Sequence, residues 1–266
     1  MTVWLDGRLV AADEARLDPR DRGFLLGDGL FETIAVRHGR ALRVDRHMDR
    51  LAGGMAAIGL PSADAGDIPR AMERVRQANG LREGCIRVTV SRGPARRGLL
   101  PDDAGRPTLL VAATACGIGF GAPLRAVVAA STRRNEFSPL ARIKSVAYLD
   151  GILARREAAA RGADEAIVRN TRGDIAETTV ANLFLVVDGR VRTPAVETGA
   201  LPGVMRAEVI SRLDAEEARV TREDLEAAAE VFATNALGIR PIIEIDGRPV
   251  GDGRPGPVTS SLADLP

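Results

Sequence analysis

Lysine is all but missing from this chain. Of its 37 basic residues all but one are arginine, the exception being Lys144 in Leu140-Ala141-Arg142-Ile143-Lys144-Ser145. Arginine serves wherever a fixed cation is enough, but a guanidinium stays protonated at ordinary pH and cannot attack a carbonyl. A lone lysine inside an apolar stretch therefore points to Schiff-base chemistry, with arginine-biased compositional drift as the plain alternative. Aromatics amount to only 3%, which argues against a stacking platform for bases or an aromatic cage. The two histidines, His38 and His47, exclude a histidine-rich metal site and leave Ser-His hydrolysis few candidates. Cys85 and Cys116 form no CxxC pattern and fit a reducing compartment better than a disulfide scaffold. No run of ~18 apolar residues occurs, and Met1 to Gly7 lacks the basic and then apolar pattern of a signal peptide. With 37 basic against 36 acidic residues and no block of one sign, a general nucleic-acid surface is excluded, though a local anion pocket is not. These absences leave a cytoplasmic protein with no metal, membrane or nucleic-acid partner.

What is present reads as α+β. A length of 266 residues suits one large domain or two smaller ones. Val3-Trp4-Leu5, Asp6-Gly7 and Leu9-Val10 predict a hairpin, and Leu30 to Val36 with Ala41 to Val44 predict a second strand pair across His38-Gly39. Asp45 caps an expected helix carrying Met48, Leu51 and Met55, and another runs from Ile68 to Ala78. Cys85 to Val90 and Thr108 to Ala115 read as strands, completing a sheet with helices on one side. Three glycines and a proline make 116–123 the expected linker, so the boundaries are 1–115, 116–123 and 124–266. Gly117-Ile118-Gly119-Phe120-Gly121 has the wrong glycine spacing for a dinucleotide loop. The second half predicts strands at Leu124 to Ala130, Glu165 to Arg169, Leu183 to Val187 and Val231 to Thr234. Helices are expected from Val146 to Ala160 and from near Gly203, and the tail from Gly251 reads as loop.

Three segments besides Lys144 could carry chemistry. Glu177, in the polar patch before Leu183 to Val187, is either a buried carboxylate able to orient a ring nitrogen or an exposed turn residue. Gly199 to Arg206 turns into an amphipathic helix whose free N–H groups suit a phosphate. Thr234-Asn235-Ala236-Leu237-Gly238 offers a hydroxyl, an amide and N–H donors at one turn. An amine, a carboxylate and two phosphate cradles are the parts that hold pyridoxal 5′-phosphate.

The order of these motifs resembles the fold-type IV pyridoxal-phosphate enzymes, the class IV aminotransferase family. The resemblance runs through Asp21-Arg22-Gly23-Phe24, Gly27-Asp28-Gly29-Leu30-Phe31-Glu32-Thr33, His47-Met48-Asp49-Arg50-Leu51 and Ile143-Lys144-Ser145. It continues through Gly162-Ala163-Asp164-Glu165-Ala166, Glu177, Asn182-Leu183-Phe184 and Gly203-Val204-Met205-Arg206. It implies a homodimer, each chain with a small N-terminal α/β sandwich and a C-terminal pseudo-barrel. Lys144 would carry the Schiff base and shuttle protons, and Glu177 would pair with the pyridine nitrogen. Arg50, the Val204 and Met205 amides, and Thr234 or Asn235 would take the phosphate. Ala147 stands where the family often has asparagine.

Within the family the chain matches 4-amino-4-deoxychorismate lyase most closely in motif, releasing pyruvate and forming 4-aminobenzoate for folate biosynthesis. Thr33, Ser91-Arg92-Gly93 with Arg97-Gly98, Gly203-Val204-Met205-Arg206 and Asn235-Ala236-Leu237 carry that match. Thr33 would then assist proton transfer, and Arg96 or Arg97 would hold a substrate carboxylate. The alternative is a transaminase acting on D-amino acids or branched-chain L-amino acids with 2-oxoglutarate. Phe31 stands where D-specific enzymes carry a tyrosine, and Thr33 where branched-chain enzymes carry glycine. A non-catalytic anion-binding protein, or a cofactor-free Schiff-base lyase, would leave Glu177 and the phosphate turns unexplained.

Overall fold

A computed structural model describes residues 1–60, 68–101 and 106–265. It divides into two compact units, Met1–Gly117 with Ile143–Ala147, and Ile118–Arg142 with Tyr148–Pro266.

The first unit opens with the expected hairpin, β1 (Thr2–Leu5) and β2 (Arg8–Ala11). Asp6 and Gly7 both take positive φ, 45° and 97°, the turn whose twist matches paired strands. The elements that follow are α1 (Arg22–Leu26), β3 (Gly29–Arg37), β4 (Arg40–Ala41), α2 (Val44–Ala57), α3 (Ile68–Ala78), β5 (Gly84–Ser91) and β6 (Thr108–Thr114). Among the described residues six strands form one antiparallel sheet in the order β2-β1-β6-β5-β3-β4. Leu30, Ile34 and Val36 of β3 alternate onto one face and pack with Leu51 and Met55 of α2 and Ala71, Met72 and Val75 of α3. The opposite face carries Phe31, Thr33, Arg87 and Thr89 in register. Asp45 is not the helix cap: α2 starts at Val44 behind a left-handed Arg43, and Asp45 lies in the first turn, where its charge favours the dipole.

The boundaries 1–115, 116–123 and 124–266 need one correction. Residues 143–147 group with the first unit, because this stretch pairs with β3 rather than opening a helix. The Phe31 N–H donates to the Lys144 carbonyl at 2.9 Å, and the Val146 N–H to that of Gly29 at 3.0 Å. The helix expected from Val146 therefore begins at Leu149.

The second unit contains β7 (Gly119–Phe120), β8 (Leu124–Val128), α4 (Leu149–Ala160), β9 (Glu165–Arg169), β10 (Ile175–Thr178), β11 (Asn182–Val187) and β12 (Arg190–Pro194). It continues with α5 (Val204–Leu213), β13 (Glu216–Ala218), α6 (Arg222–Ala227), β14 (Glu230–Asn235), β15 (Gly238–Ile245), β16 (Arg248–Pro249) and α7 (Pro257–Ser260). The stretch expected as linker thus includes a strand, β7, which pairs with β15. The main sheet runs β10-β9-β8-β15-β14-β11-β12-β13. It curls until its ends meet, where the Ile175 N–H donates to the Val220 carbonyl at 2.8 Å. This closure is the pseudo-barrel. Ile167, Leu183, Leu185, Val231 and Ile242 fill its interior, while Phe184 and Phe232 stack outside it at 5.1 Å with Met205 and Val209 of α5.

Candidate active site

On the first unit, Lys144 is placed by its backbone pairing to β3. Its Nζ lies 4.5 Å from the centroid of the Phe31 ring, and the Arg87 guanidinium carbon lies 3.8 Å from the same centroid. One aromatic ring thus carries an amine and a guanidinium, each attracted to its π-system. Thr33 pairs across the strands with Arg87 and shares that face.

Arg50 stands on α2 behind the sheet. Glu32 alternates to the helix side of β3, fully buried, and takes Arg50 Nε at 2.8 Å and Nη2 at 2.6 Å. It also lies 2.7 Å from His47 Nδ1. Burial pushes the Glu32 carboxyl up, but hydrogen bonds and charge from Arg50 and His47 outweigh it and hold it below its ordinary value. A two-pronged fork of this kind fixes the guanidinium plane.

Arg96 and Arg97 are exposed and line an open cavity of about 930 Å³ with Arg20, Arg22, Leu25 and Leu26. Their loop is held from below: Arg22 donates to the Gly98 and Leu99 carbonyls at 2.7 and 2.8 Å and to Asp28 at 2.8 Å. Arg92 also donates to Asp28, at 2.7 Å, and to the carbonyls of Gly59 and Ile58. Asp21 caps α1 and accepts the hydroxyls of Ser91 and Thr108. The motifs Asp21-Arg22-Gly23 and Ser91-Arg92-Gly93 therefore build the loop rather than the chemistry.

On the second unit, Glu177 is 9% exposed, so the turn-residue alternative fails. One of its oxygens accepts the Leu201 N–H at 3.0 Å, and the other lies 3.0 Å from Arg134 Nε. Asn182, next to Thr234 across the sheet, donates to the Leu201 carbonyl at 2.8 Å. These bonds gather Glu177, Thr234 and the start of α5. Gly203 is the N-cap of α5 and no side chain caps the helix there. A Cβ on Gly203 would lie 2.0 Å from Asn182 Oδ1, so a larger residue there would have to displace the Asn182 amide that bonds the Leu201 carbonyl. Thr234 Oγ1 is buried without a partner. Asn235 holds its turn by accepting the Leu237 N–H at 2.9 Å. An uncapped helix start beside an orphaned hydroxyl fits the phosphate of pyridoxal phosphate.

The sequence reading passes over Arg87 and the Glu32 carboxylate, and takes Arg133-Arg134-Asn135 as either an anion contact or a solvated loop, whereas Arg134 pairs with Glu177. Arg87 had a signal: a single cation in Cys85-Ile86-Arg87-Val88-Thr89-Val90, which strand alternation sets on the face of Phe31 once the register is known. The Arg133-Arg134-Asn135 run signals an anion contact, but not that the partner of Arg134 is Glu177, far along the chain.

The family described as amino-transferase class IV matches residues 29–245. A Methanocaldococcus jannaschii protein provisionally named branched-chain-amino-acid aminotransferase is 33% identical over 273 residues, 99% of this chain and 94% of the relative. A Listeria innocua D-alanine aminotransferase is 31% identical over 98% of this chain and 93% of its own length. Many solved structures are similar, two of them as follows. A protein of Legionella pneumophila provisionally named 4-amino-4-deoxychorismate lyase has TM-score 0.84 and 34% identity, covering 94% of each chain. The T.th. branched-chain amino acid aminotransferase with pyridoxamine 5′-phosphate has TM-score 0.90 and 27% identity, covering 99% of this chain and 92% of that one. Among the described residues no helix is long and apolar enough to cross a membrane.

Proposed function

The chain belongs to the class IV aminotransferase family, a family of pyridoxal-phosphate enzymes, and from that premise we propose that it is an aminotransferase for branched-chain L-amino acids with 2-oxoglutarate. The observation that carries the catalytic part of this reading is the Lys144–Phe31–Arg87 group, an amine beside a guanidinium suited to a carboxylate on one sheet face, and the branched-chain substrate follows the names of relatives. The relatives' names support transamination over the lyase that the motifs favoured.

Pyridoxal 5′-phosphate, when bound, supplies the aldehyde that Lys144 holds and a ring that accepts electrons. Lys144 takes the proton from the substrate α-carbon and returns one, acting as base and then acid. Glu177, fixed by Leu201 and Arg134, keeps a proton on the ring nitrogen. The Val204 and Met205 amides, Thr234, Asn235 and Arg50 receive the phosphate, Arg50 with its plane set by Glu32. Arg87 binds the substrate carboxylate against Phe31, and Arg96 and Arg97 stand on the exposed loop as further carboxylate donors. The enzyme works in the cytoplasm as a homodimer. Exposed Leu99 and Leu100 near α1, and Leu149, Ile152 and Leu153 along α4, support apolar association.

Thr33 favours a second reading, the 4-amino-4-deoxychorismate lyase, since its hydroxyl shares the sheet face of Phe31 and Arg87 and could assist a proton transfer that aromatises the product. The test offers holoenzyme L-leucine or D-alanine with 2-oxoglutarate, and in parallel chorismate, glutamine and the partner synthase. Glutamate from L-leucine supports the first reading, and glutamate from D-alanine alone replaces its substrate. Formation of 4-aminobenzoate in the synthase arm, with no glutamate formed in the two amino-acid arms, replaces transamination with the lyase.

A further inference from the structure

A second cationic group lies in the second unit, at the end of β9 next to the Val168–Glu177 pair and away from Thr234 and Asn235. Strands β8 and β9 run parallel to β15, so Val128, Arg169 and Ile245 finish at one end. Thr234 and Asn235 of β14, and Asn182 of β11, lie toward the opposite end of the same sheet. Arg169 is half-buried. Its Nε is buried without an acceptor, and among the described residues no carboxylate pairs with its guanidinium. The Arg134 N–H donates to the Arg169 carbonyl at 2.8 Å, which sets the loop bearing Thr132 and Arg133 beside it. Thr132 is 8% exposed and its Oγ1, too, is buried without a partner.

The nearby carboxylates are already engaged. Asp246 takes Arg161 at 2.7 Å and Arg222 at 2.9 Å, and Glu226 takes Arg222 at 2.8 Å. Among the described residues Arg133 donates only to carbonyls, those of Ala129, Ala130 and Thr132 at 3.2, 3.1 and 2.7 Å. Burial, joined by repulsion from Arg133 and Arg222, pushes Arg169 below its ordinary pKa against the pull of Asp246. Buried donors among like charges are costly unless an anionic acceptor joins them.

We propose that Arg169, Arg133 and Thr132 form a subsite for a phosphoryl oxyanion, with Arg222 adding charge. Guanidinium forks match such an anion in shape and stay charged on partial burial. The anion is a free phosphate ion or the phosphate of a small phosphomonoester, and the two are distinguished by titration.

The test uses holoenzyme reduced with borohydride, so that the cofactor stays in place. Inorganic phosphate and glucose 6-phosphate are titrated by calorimetry and by thermal unfolding, against chloride at equal ionic strength. Either anion should bind saturably and raise Tm by several degrees, and the tighter one identifies the source. Arg169→Met should lose at least tenfold in affinity, yet match or exceed the wild type in stability without phosphate, because a repulsion has gone. Arg133→Met serves as the second variant, with the same loss of affinity expected. A wild type that responds to neither anion, or variants that bind as the wild type does, would overturn the proposal.

Discussion

Glu32 offers the most direct test of how the first unit positions its arginine. The carboxylate is fully buried and its three short contacts go to two groups that are themselves largely buried, Arg50 at 12% side-chain exposure and His47 at 2%. Glu32→Ala takes from Arg50 and His47 the buried carboxylate that they share. Breaking a buried pair from one side costs about 3–5 kcal/mol, and in a chain of this size each kcal/mol is worth about 2–4 °C of Tm. Glu32→Gln keeps the shape and removes the charge, so its loss should be smaller and should depend on pH. The carboxyl ionises below its ordinary value of 4.5. Between the two values the unfolded chain therefore binds more protons than the folded one, and the carboxylate's contribution is full above 4.5. It fades as pH falls through the lowered folded value. Thermal unfolding of the wild type and both variants from pH 7 down to well below 4.5 reads this out, with cofactor affinity measured alongside. The wild type should lose stability on the acid side more steeply than Glu32→Gln, and Glu32→Ala should retain cofactor poorly. A Glu32→Ala loss under about 1 kcal/mol, the size of an ordinary surface change, would refute the reasoning.

Three further outcomes are expected. Lys144→Ala should abolish both the borohydride-reducible absorbance and the turnover, and retention of either would remove its assigned role. Gly203→Ala forces a Cβ against Asn182 at the start of α5, so cofactor affinity should fall about tenfold or more, roughly 1.4 kcal/mol, while the far-UV circular dichroism stays intact. Equal affinity would detach α5 from the phosphate. Burial, helped by the neighbouring Cys116, pushes the Cys85 thiol up to about 12, so its alkylation by iodoacetamide at pH 8 should run on the order of 10³-fold slower than for a free cysteine. Mass spectrometry at timed intervals measures that rate, and a rate like that of a free thiol would contradict it.

Much of the fold was legible because burial leaves a period in the sequence. Alternation marked β3, β5 and β6, and helical spacing marked α2 and α3. Local signals failed where long-range pairing overrode them. Ile143-Lys144-Ser145-Val146 looks like the approach to a helix, yet it lies along β3, and nothing within the segment encodes that partner. Strand β15 was hidden by Arg240 and Pro241 in its middle. Pro241 is tolerated opposite Phe232, although proline within a run argues against a strand. Helix α1, with five residues, is too short to show a period. In the candidate site, Lys144 and the α5 start carry signals in residue type and turn chemistry, whereas Glu177 reads locally as either a buried carboxylate or a turn residue and takes its proposed role from the resemblance. The Arg87 position needed a register, and the Glu32 fork needed two elements folded against each other.

The rarity of lysine can be weighed again with the side chains in place. Drift alone asks nothing of the arginines that replaced it, but several depend on guanidinium geometry. Arg50 engages both oxygens of Glu32 through Nε and Nη2. Arg22 spans Asp28 and two loop carbonyls, and Arg92 spans Asp28 and two others. An ammonium, a compact charge on a flexible stem, does not present that planar fork. At these positions arginine is required by shape, so they say nothing about drift. Lys144 reverses the requirement. Arg87, at the same ring, shows that a guanidinium can stack against Phe31, so packing there does not demand lysine. What an arginine there could not supply is an amine able to lose its proton, and that chemical difference distinguishes Lys144 from the residues around it.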